Sequence, residues 1–327
     1  MFFKILSKLS AVQSLSAIFS LIFTFLAARM LDPEAFGVLR YLLVLLPFFL
    51  LASLPTFDNL ILREASSGSL INLNEIIKIR GVFGLIGSII FGLFFLLFQE
   101  RFITETIQGV FLILLLLPIY EITTSYRNYL VGLGLKDQAL RIQLRNKSLS
   151  ILILLLGFIL LFYFNFSPVK LLLVFMIATT LPNIFTHFSI VIRKGLVRFK
   201  KTRLIKEAIG TTLATGVWII SYSFDRLIIE REMGNEALAY YSIIVLVPYM
   251  ISQLIDGLIP FWYKKIFFEK SGLSTFKNLS LVSLIFSILI FIYAFSAHKL
   301  YPFIFGDFYN YSLALSLLSG LLIFHDL

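Results

Sequence analysis

The chain has 327 residues, of which 59% are hydrophobic and 14% are charged, and its mean hydropathy is +0.95. Soluble domains are about 45–50% apolar and about 25% charged, so this composition excludes a cytosolic enzyme, a disulfide-rich secreted module and a disordered tail. A membrane β-barrel is also disfavoured, because the apolar runs lack the polar–apolar alternation of barrel strands.

Ten apolar segments recur along the chain, each long enough to cross a hydrocarbon core about 30 Å thick. Because a spanning backbone must satisfy its own hydrogen bonds, each segment is predicted as a helix. The first segment lacks a small-residue cleavage site, which favours an uncleaved helix over a signal peptide. The sequence therefore predicts an all-α polytopic membrane protein with about ten transmembrane helices. The segments cover residues 9–29, 38–58, 82–98, 107–128, 148–166, 170–192, 209–229, 238–258, 278–297 and 311–325.

The distribution of basic residues predicts the orientation. With the N-terminus on the cytoplasmic side, alternate loops place 21 of the 28 lysines and arginines inside. Cytoplasmic loops of membrane proteins carry such an excess, so it explains the net charge of +10 without nucleic-acid binding. The longest basic stretch, residues 193–206, interleaves basic and apolar residues and is interpreted as a linker lying on the membrane surface.

An internal repeat relates the two ends of the chain. Residues 29–37 (RMLDPEAFG) align with residues 231–239 (REMGNEALA) at an offset of 202. The offset contains six predicted helices, so both copies have the same orientation and form a parallel repeat. We expect a six-helix lobe at 1–192, a basic cytoplasmic linker at 193–207 and an incomplete four-helix lobe at 208–327. A fragment and a natural ten-helix form both fit this pattern.

Polar residues within the spans are candidates for a substrate or ion pathway, because a charge near the bilayer centre costs about 2.5–3.5 kcal/mol on insertion scales. Glu121 ranks first, since it lies deep in its predicted helix and shares a face with Asn128. The first and seventh helices each carry a polar face. For every candidate, structural packing, pairing or capping is the alternative. The candidates are Gln13, Arg29, Arg40, Asp58, Glu121, Asn128, Tyr222, Asp225, Arg226 and Asp256.

No enzyme motif accompanies these residues. The chain has no P-loop GxxxxGK[ST], no HExxH and no GxSxG. It has no cysteine, and its three histidines lack the spacing of metal ligands. We therefore expect a protein that is not an enzyme, holds no metal or other cofactor and does not hydrolyse ATP.

Three short motifs resemble those of Wzx-type polysaccharide flippases. Residues 26–37, LAARMLDPEAFG, resemble the "ARxLGPExFG" end of the first helix in that family. Residues 57–64, FDNLILRE, resemble the exit of its second helix. Residues 223–229, SFDRLII, followed by 236–241, EALAYY, resemble the start of its second lobe. The chain is thus similar to members of the MOP (multidrug/oligosaccharidyl-lipid/polysaccharide) exporter superfamily.

This resemblance implies two six-helix lobes around a central cavity and a role in O-antigen, lipopolysaccharide or other surface-polysaccharide biosynthesis. Relatives flip undecaprenyl-diphosphate-linked oligosaccharide across the bacterial cytoplasmic (inner) membrane by alternating access, coupled to H⁺ or Na⁺. We then expect Arg29, Arg40 and other cations to contact the lipid diphosphate, and Glu121 or Asp225 to carry the coupling ion. Expected partners are the lipid-linked oligosaccharide, membrane lipids, a polysaccharide polymerase and assembly proteins.

Two alternatives stay open at the level of sequence. One is an ion-coupled multidrug exporter of the same superfamily, whose substrate is a soluble cationic drug. The other is a non-functional, truncated membrane protein that serves only as a scaffold.

Overall fold

A computed structural model describes residues 2–66, 73–97, 107–120, 123, 125–193, 201–246 and shorter pieces between 248 and 309. Every regular element in these regions is helical, which confirms the all-α prediction for the part described. In chain order the helices are α1 (Phe2–Met30), α2 (Pro33–Leu50), α3 (Phe57–Ser66), α4 (Leu73–Leu97), α5 (Ile107–Tyr120), α6 (Tyr126–Gly132), α7 (Lys136–Phe164), α8 (Pro168–Arg193) and α9 (Lys201–Ile244).

Five stretches of the described chain are long and apolar enough to cross a bilayer. They coincide with the first, second, third, fifth and sixth predicted segments, so the chain is membrane-embedded as its composition predicts. The segment at 311–325 and most of 278–297 lie outside the described residues, and the count of ten helices stays a prediction. The five stretches are Ala11–Met30, Pro33–Ser53, Lys78–Leu97, Lys136–Phe164 and Pro168–His187.

The second span is interrupted before its predicted end. Helix α2 stops at Leu50, a 3-10 turn follows at Leu51–Ser53, and Leu54 adopts left-handed backbone angles (φ 53°, ψ 64°). Pro55 explains the break, because the residue before a proline is disfavoured in the right-handed helical region. The single helix predicted over 38–58 is therefore wrong at its end. Asp58 lies in the first turn of the separate helix α3.

The fourth predicted helix, 107–128, is likewise two helices. Helix α5 ends at Tyr120, and α6 begins at Tyr126. Asn128 thus belongs to α6, whereas Glu121 lies outside the described residues, and one continuous helical face shared by the two is not supported. The short α6 packs tightly on α3, where a Cβ placed on Gly132 would lie 2.5 Å from the Cβ of Ala65.

Helices α4, α5, α8 and α7 pack side by side in that order. The outer helices α4 and α7 expose long apolar faces: Leu85 and Ile89 are 56% and 62% exposed on α4, and Leu152 and Ile159 are 53% and 58% exposed on α7. Spacings of four and seven residues place each pair on one face of its helix. Such broad apolar exposure is costly in water and suits contact with lipid tails.

The chain forms two compact units. One consists of Met1–Pro33 with Ala239–Leu327, and the other of Glu34–Leu238. Neither coincides with a predicted lobe, and the division into lobes at 1–192 and 208–327 stays a prediction.

Within the second unit, the two segments that the repeat aligns touch each other. A kink at Gly234 in α9 (φ 87°, ψ 179°) brings the Asn235 carbonyl against the α2 backbone. A Cβ placed on Gly37 would lie only 1.9 Å from the Asn235 oxygen. Glycine at position 37 is therefore required for this close approach.

This contact predicts the effect of a methyl group at Gly37. Gly37→Ala forces the α2 and α9 backbones apart, and overpacking of this kind costs about 1–3 kcal/mol. The matched control is Gly210→Ala in α9, where a Cβ meets no atom within 4 Å. We expect a lower melting temperature in detergent for Gly37→Ala and an unchanged or higher one for the control. Equal melting temperatures would contradict the close approach.

Candidate functional site

A buried arginine joins four segments at one end of the second unit. Arg80, on α4, is 0% exposed. Its Nη1 lies 2.8 Å from Asp58 Oδ1 on α3 and 2.5 Å from the hydroxyl of Ser125, the residue before α6. Its Nε donates to the Ser53 carbonyl at 3.1 Å. We call Asp58, Arg80 and Ser125 the Arg80 cluster.

The two partners of Arg80 in the cluster, Asp58 and Ser125, also bind each other. The Ser125 hydroxyl donates to Asp58 Oδ1 at 2.8 Å, so this carboxylate oxygen receives both the guanidinium and the hydroxyl. A buried ion pair offsets its desolvation only when such additional hydrogen bonds are present. The interrupted second span makes this arrangement possible, because the turn before α3 supplies both the Ser53 carbonyl and Asp58.

A second polar cluster joins α3 and its preceding turn to α9. The hydroxyl of Thr56 lies 2.9 Å from that of Thr211 and 2.7 Å from that of Thr212. Beside these threonines, Arg63 on α3 forms an ion pair with Glu207 on α9, with an N–O distance of 2.6 Å. Hydrogen bonding to Glu207, and then to Glu64, raises the pKa of the Arg63 guanidinium above its usual value.

A third polar cluster joins α6, α7 and α8. The Asn146 amide nitrogen donates to the Tyr126 hydroxyl at 2.9 Å and to Asn183 Oδ1 at 3.0 Å. The Thr186 hydroxyl lies 3.0 Å from Asn146 Oδ1 and also receives Arg145 Nη2 at 2.8 Å. Asn146 and Thr186 are buried. Because an unpaired buried amide is costly, this network fixes the three helices relative to one another.

Two of the predicted site residues, Arg40 and Arg226, lie within electrostatic range of each other. Arg40 is half-buried on α2, and Arg226 is half-buried on α9. They are near enough for their positive charges to repel each other. Arg40 Cζ also lies 6.0 Å from the ring centroid of Phe36, a cation–π distance. The structure thus assembles a cationic pair from two helices that are far apart in sequence.

Two other candidates, Arg29 and Asp225, have contacts or positions that favour a structural role. Arg29 donates to the carbonyls of Phe303 and Ile304 at 2.6 and 2.9 Å, at the end of a helical stretch; an arginine there stabilises a helix C-terminus. Asp225 is exposed, and its carboxylate accepts the backbone N–H of Arg226 at 2.8 Å.

The remaining candidates are distributed as follows. Gln13 on α1 and Asn128 on α6 are half-buried. Tyr222 lies on α9, but its side chain is outside the described part of the structure, as are Glu121 and Asp256 entirely.

Sequence reasoning missed Arg80 and the partners that hold it. In the sequence, Arg80 is only one of the basic residues expected on the cytoplasmic side. Asp58 is only a residue at the end of a predicted helix. One signal was present: both lie near predicted span ends that the topology places on the same side of the membrane. The two residues are 22 positions apart, on α3 and α4. Periodicity did not detect the break that separates α3 from α2 and gives Asp58 its place at a helix start.

Within the described residues no group of three or more His, Asp or Glu side chains is arranged to hold a metal ion. Comparisons with models of protein families, with curated proteins and with solved structures found no match to this chain.

The Arg80 cluster predicts that neutralising Asp58 strongly lowers the stability of the protein. Asp58→Asn removes the carboxylate that lies 2.8 Å from a wholly buried guanidinium, and breaking a buried pair in this way costs about 3–5 kcal/mol. The matched control is Asp137→Asn, because Asp137 and Arg141 have the same N–O distance of 2.8 Å but the Arg141 side chain is 66% exposed. Exposed pairs contribute less than about 1 kcal/mol.

The measurement is unfolding of the purified variants in mixed detergent and SDS micelles. We expect Asp58→Asn to unfold at a much lower SDS fraction than Asp137→Asn. Replacing both charges, Asp58→Asn with Arg80→Met, should restore part of the lost stability, since it removes the buried charge. Equal effects of the two single variants would show that the Arg80 pair is not buried.

Proposed function

We propose that this chain is a transporter that flips an undecaprenyl-diphosphate-linked oligosaccharide across the bacterial cytoplasmic membrane by alternating access. The observation that carries the proposal is the juxtaposition of Arg40 and Arg226 in a membrane-embedded bundle. The sequence motifs shared with Wzx-type flippases support it. In this proposal the chain has about ten spans in two lobes, with its N-terminus in the cytoplasm, and acts with a polymerase and assembly proteins.

The neighbouring positive charges of Arg40 and Arg226 repel each other. In a low-dielectric environment their repulsion is much stronger than in water. Arg40 is half-buried on the second span, so repulsion from Arg226 is only partly screened by solvent. A diphosphate carries enough negative charge to neutralise both guanidiniums, and each can donate two parallel hydrogen bonds to phosphate oxygens.

The charge of Arg40 and Arg226 also distinguishes between the two substrate classes of the superfamily. A cationic drug would be repelled by Arg40 and Arg226, whereas an anionic lipid headgroup would be attracted. The cationic pair therefore favours the lipid-linked oligosaccharide over the multidrug substrate. Glu121, and secondarily Asp225, would carry the coupling H⁺ or Na⁺ in this proposal.

The cationic pair predicts a loss of flipping when its charge is removed. Arg40→Gln and Arg226→Gln should each lower flipping at least tenfold, whereas Arg→Lys variants should retain more activity because the charge remains. The control is Arg231→Gln on α9, since the Arg231 side chain is 81% exposed. The assay follows undecaprenyl-diphosphate carrying a labelled sugar in proteoliposomes, with a cationic dye in parallel. Wild-type flipping by the Arg40→Gln/Arg226→Gln double variant would reject the proposal, and dye export alone would favour the drug exporter.

Glu121 predicts a separate effect on ion coupling. Glu121→Gln removes a protonatable group predicted to lie within the membrane, so flipping should become independent of an imposed H⁺ or Na⁺ gradient. Glu34→Gln is the control, because Glu34 is exposed in the first turn of α2. The gradient response of flipping is compared in proteoliposomes. An unchanged response in Glu121→Gln would assign ion coupling to another residue.

A further inference from the structure

The cytoplasmic membrane boundary crosses α7 near Arg145. Helix α7 runs from Lys136 to Phe164, and its part at 145–164 rises by about 30 Å at 1.5 Å per residue. This rise equals the thickness of the hydrocarbon core. At the other end of this stretch, Lys170 Nζ donates to the Phe164 carbonyl at 2.9 Å, so a charged group marks the opposite membrane surface. Arg145 therefore lies at the level of the phospholipid headgroups, on the side that the basic residues predict to be cytoplasmic.

Arg145 is exposed, yet its guanidinium is held in place by buried groups. Its Nη2 lies 2.8 Å from the hydroxyl of Thr186 on α8, and Thr186 is buried. That hydroxyl in turn lies 3.0 Å from Oδ1 of the buried Asn146. A side chain that is already fixed loses less conformational freedom when it binds a ligand. Arg145 is thus preorganised at the junction of α7 and α8.

These contacts leave the positive charge of Arg145 in place, because the Thr186 hydroxyl and the Asn146 amide oxygen are both neutral. From residue 127 to residue 147 the sequence has five basic residues and one acidic residue, Asp137, which pairs with Arg141. A guanidinium has five N–H donors. Within the described residues the contacts of Arg145 involve Nε and Nη2, which leaves the donors on Nη1 for an anionic ligand.

Exposed apolar side chains continue from Arg145 towards the middle of the membrane. Leu149 and Leu152 follow at spacings of four and three residues, so both lie on the same face of α7 as Arg145. They are 40% and 53% exposed. On α8, Phe185 directly precedes Thr186 and is 69% exposed. A cation at headgroup level, followed by exposed apolar side chains, matches the division of a phospholipid into a phosphate and acyl chains.

We propose that Arg145, Leu149, Leu152 and Phe185 form a binding site for an anionic glycerophospholipid of the cytoplasmic leaflet. The guanidinium binds the lipid phosphate, a geometry for which its planar fork is suited, and the acyl chains cover the leucines and the phenylalanine. Basic pockets between spanning helices on the cytoplasmic side bind anionic headgroups in this way. This lipid is a resident of the bundle and is distinct from the substrate proposed above.

The first experiment measures phospholipid binding to the purified full chain in detergent by native mass spectrometry. The probes are dioleoylphosphatidylglycerol, which is anionic, and dioleoylphosphatidylcholine, which has no net charge. We expect the wild type to bind the first phosphatidylglycerol about fivefold more tightly, the contribution of one arginine near an anionic surface. Arg145→Gln should remove this preference. The control Arg141→Gln removes the same charge from an arginine that is paired with Asp137, and it should keep the preference.

The second experiment leaves Arg145 unchanged. Leu149→Glu places a carboxylate one helical turn away on the same face, where it pairs with Arg145 and takes the place of the phosphate. Leu149→Gln is the matched control, because glutamine has the same size without the charge. Position 149 is exposed, so neither change disturbs a packed core. We expect the preference for phosphatidylglycerol to be lost in Leu149→Glu and kept in Leu149→Gln.

The outcomes decide for or against the lipid site without a transport assay. Loss of the preference in Arg145→Gln and Leu149→Glu, with retention in both controls, supports the site. Equal binding of the two lipids by the wild type, or an unchanged preference in Arg145→Gln, overturns it. If Arg145→Gln does not fold, the two Leu149 variants decide alone. Displacement of phosphatidylglycerol by equimolar glycerol 3-phosphate would assign the site to a soluble phosphate and overturn the lipid assignment.

Discussion

Arg80 imposes the main constraint on this molecule, because a guanidinium without access to water must be neutralised and hydrogen-bonded where it lies. The chain meets this requirement by bringing Asp58, Ser125 and the Ser53 carbonyl to it from three other segments. The break in the second span and the separate start of α6 both belong to this arrangement. Both place polar groups of helix ends beside Arg80 instead of in the apolar middle of a span.

Two other polar clusters join helices that are distant in sequence. The amide network of Asn146 and Asn183 joins α6, α7 and α8, and the threonines around Thr56 join α9 to the turn before α3. By the predicted orientation these clusters lie towards the cytoplasmic ends of the spans. The middle of α4 and α7 is apolar and exposed. The exposed apolar stretches of α4 and α7 suit contact with lipid tails.

The Arg80 cluster and the α3–α9 contact differ in how readily they break. Arg80 is wholly buried, whereas Arg63 is more than half exposed and has a second partner in Glu64. Breaking the first leaves a buried charge; breaking the second leaves a solvated one.

The apolar runs by themselves determined that the chain is helical and membrane-embedded, because an 18–20-residue run without charge has few other stable states. Pro55 marked the break after Leu54, and hydropathy overlooked it because Phe57 extends the apolar run past the proline. Only the tertiary structure decided that Arg80 pairs with Asp58 and that Arg40 lies near Arg226. Hydropathy depends on composition along the chain, whereas these pairings depend on how helices distant in sequence are oriented around one another.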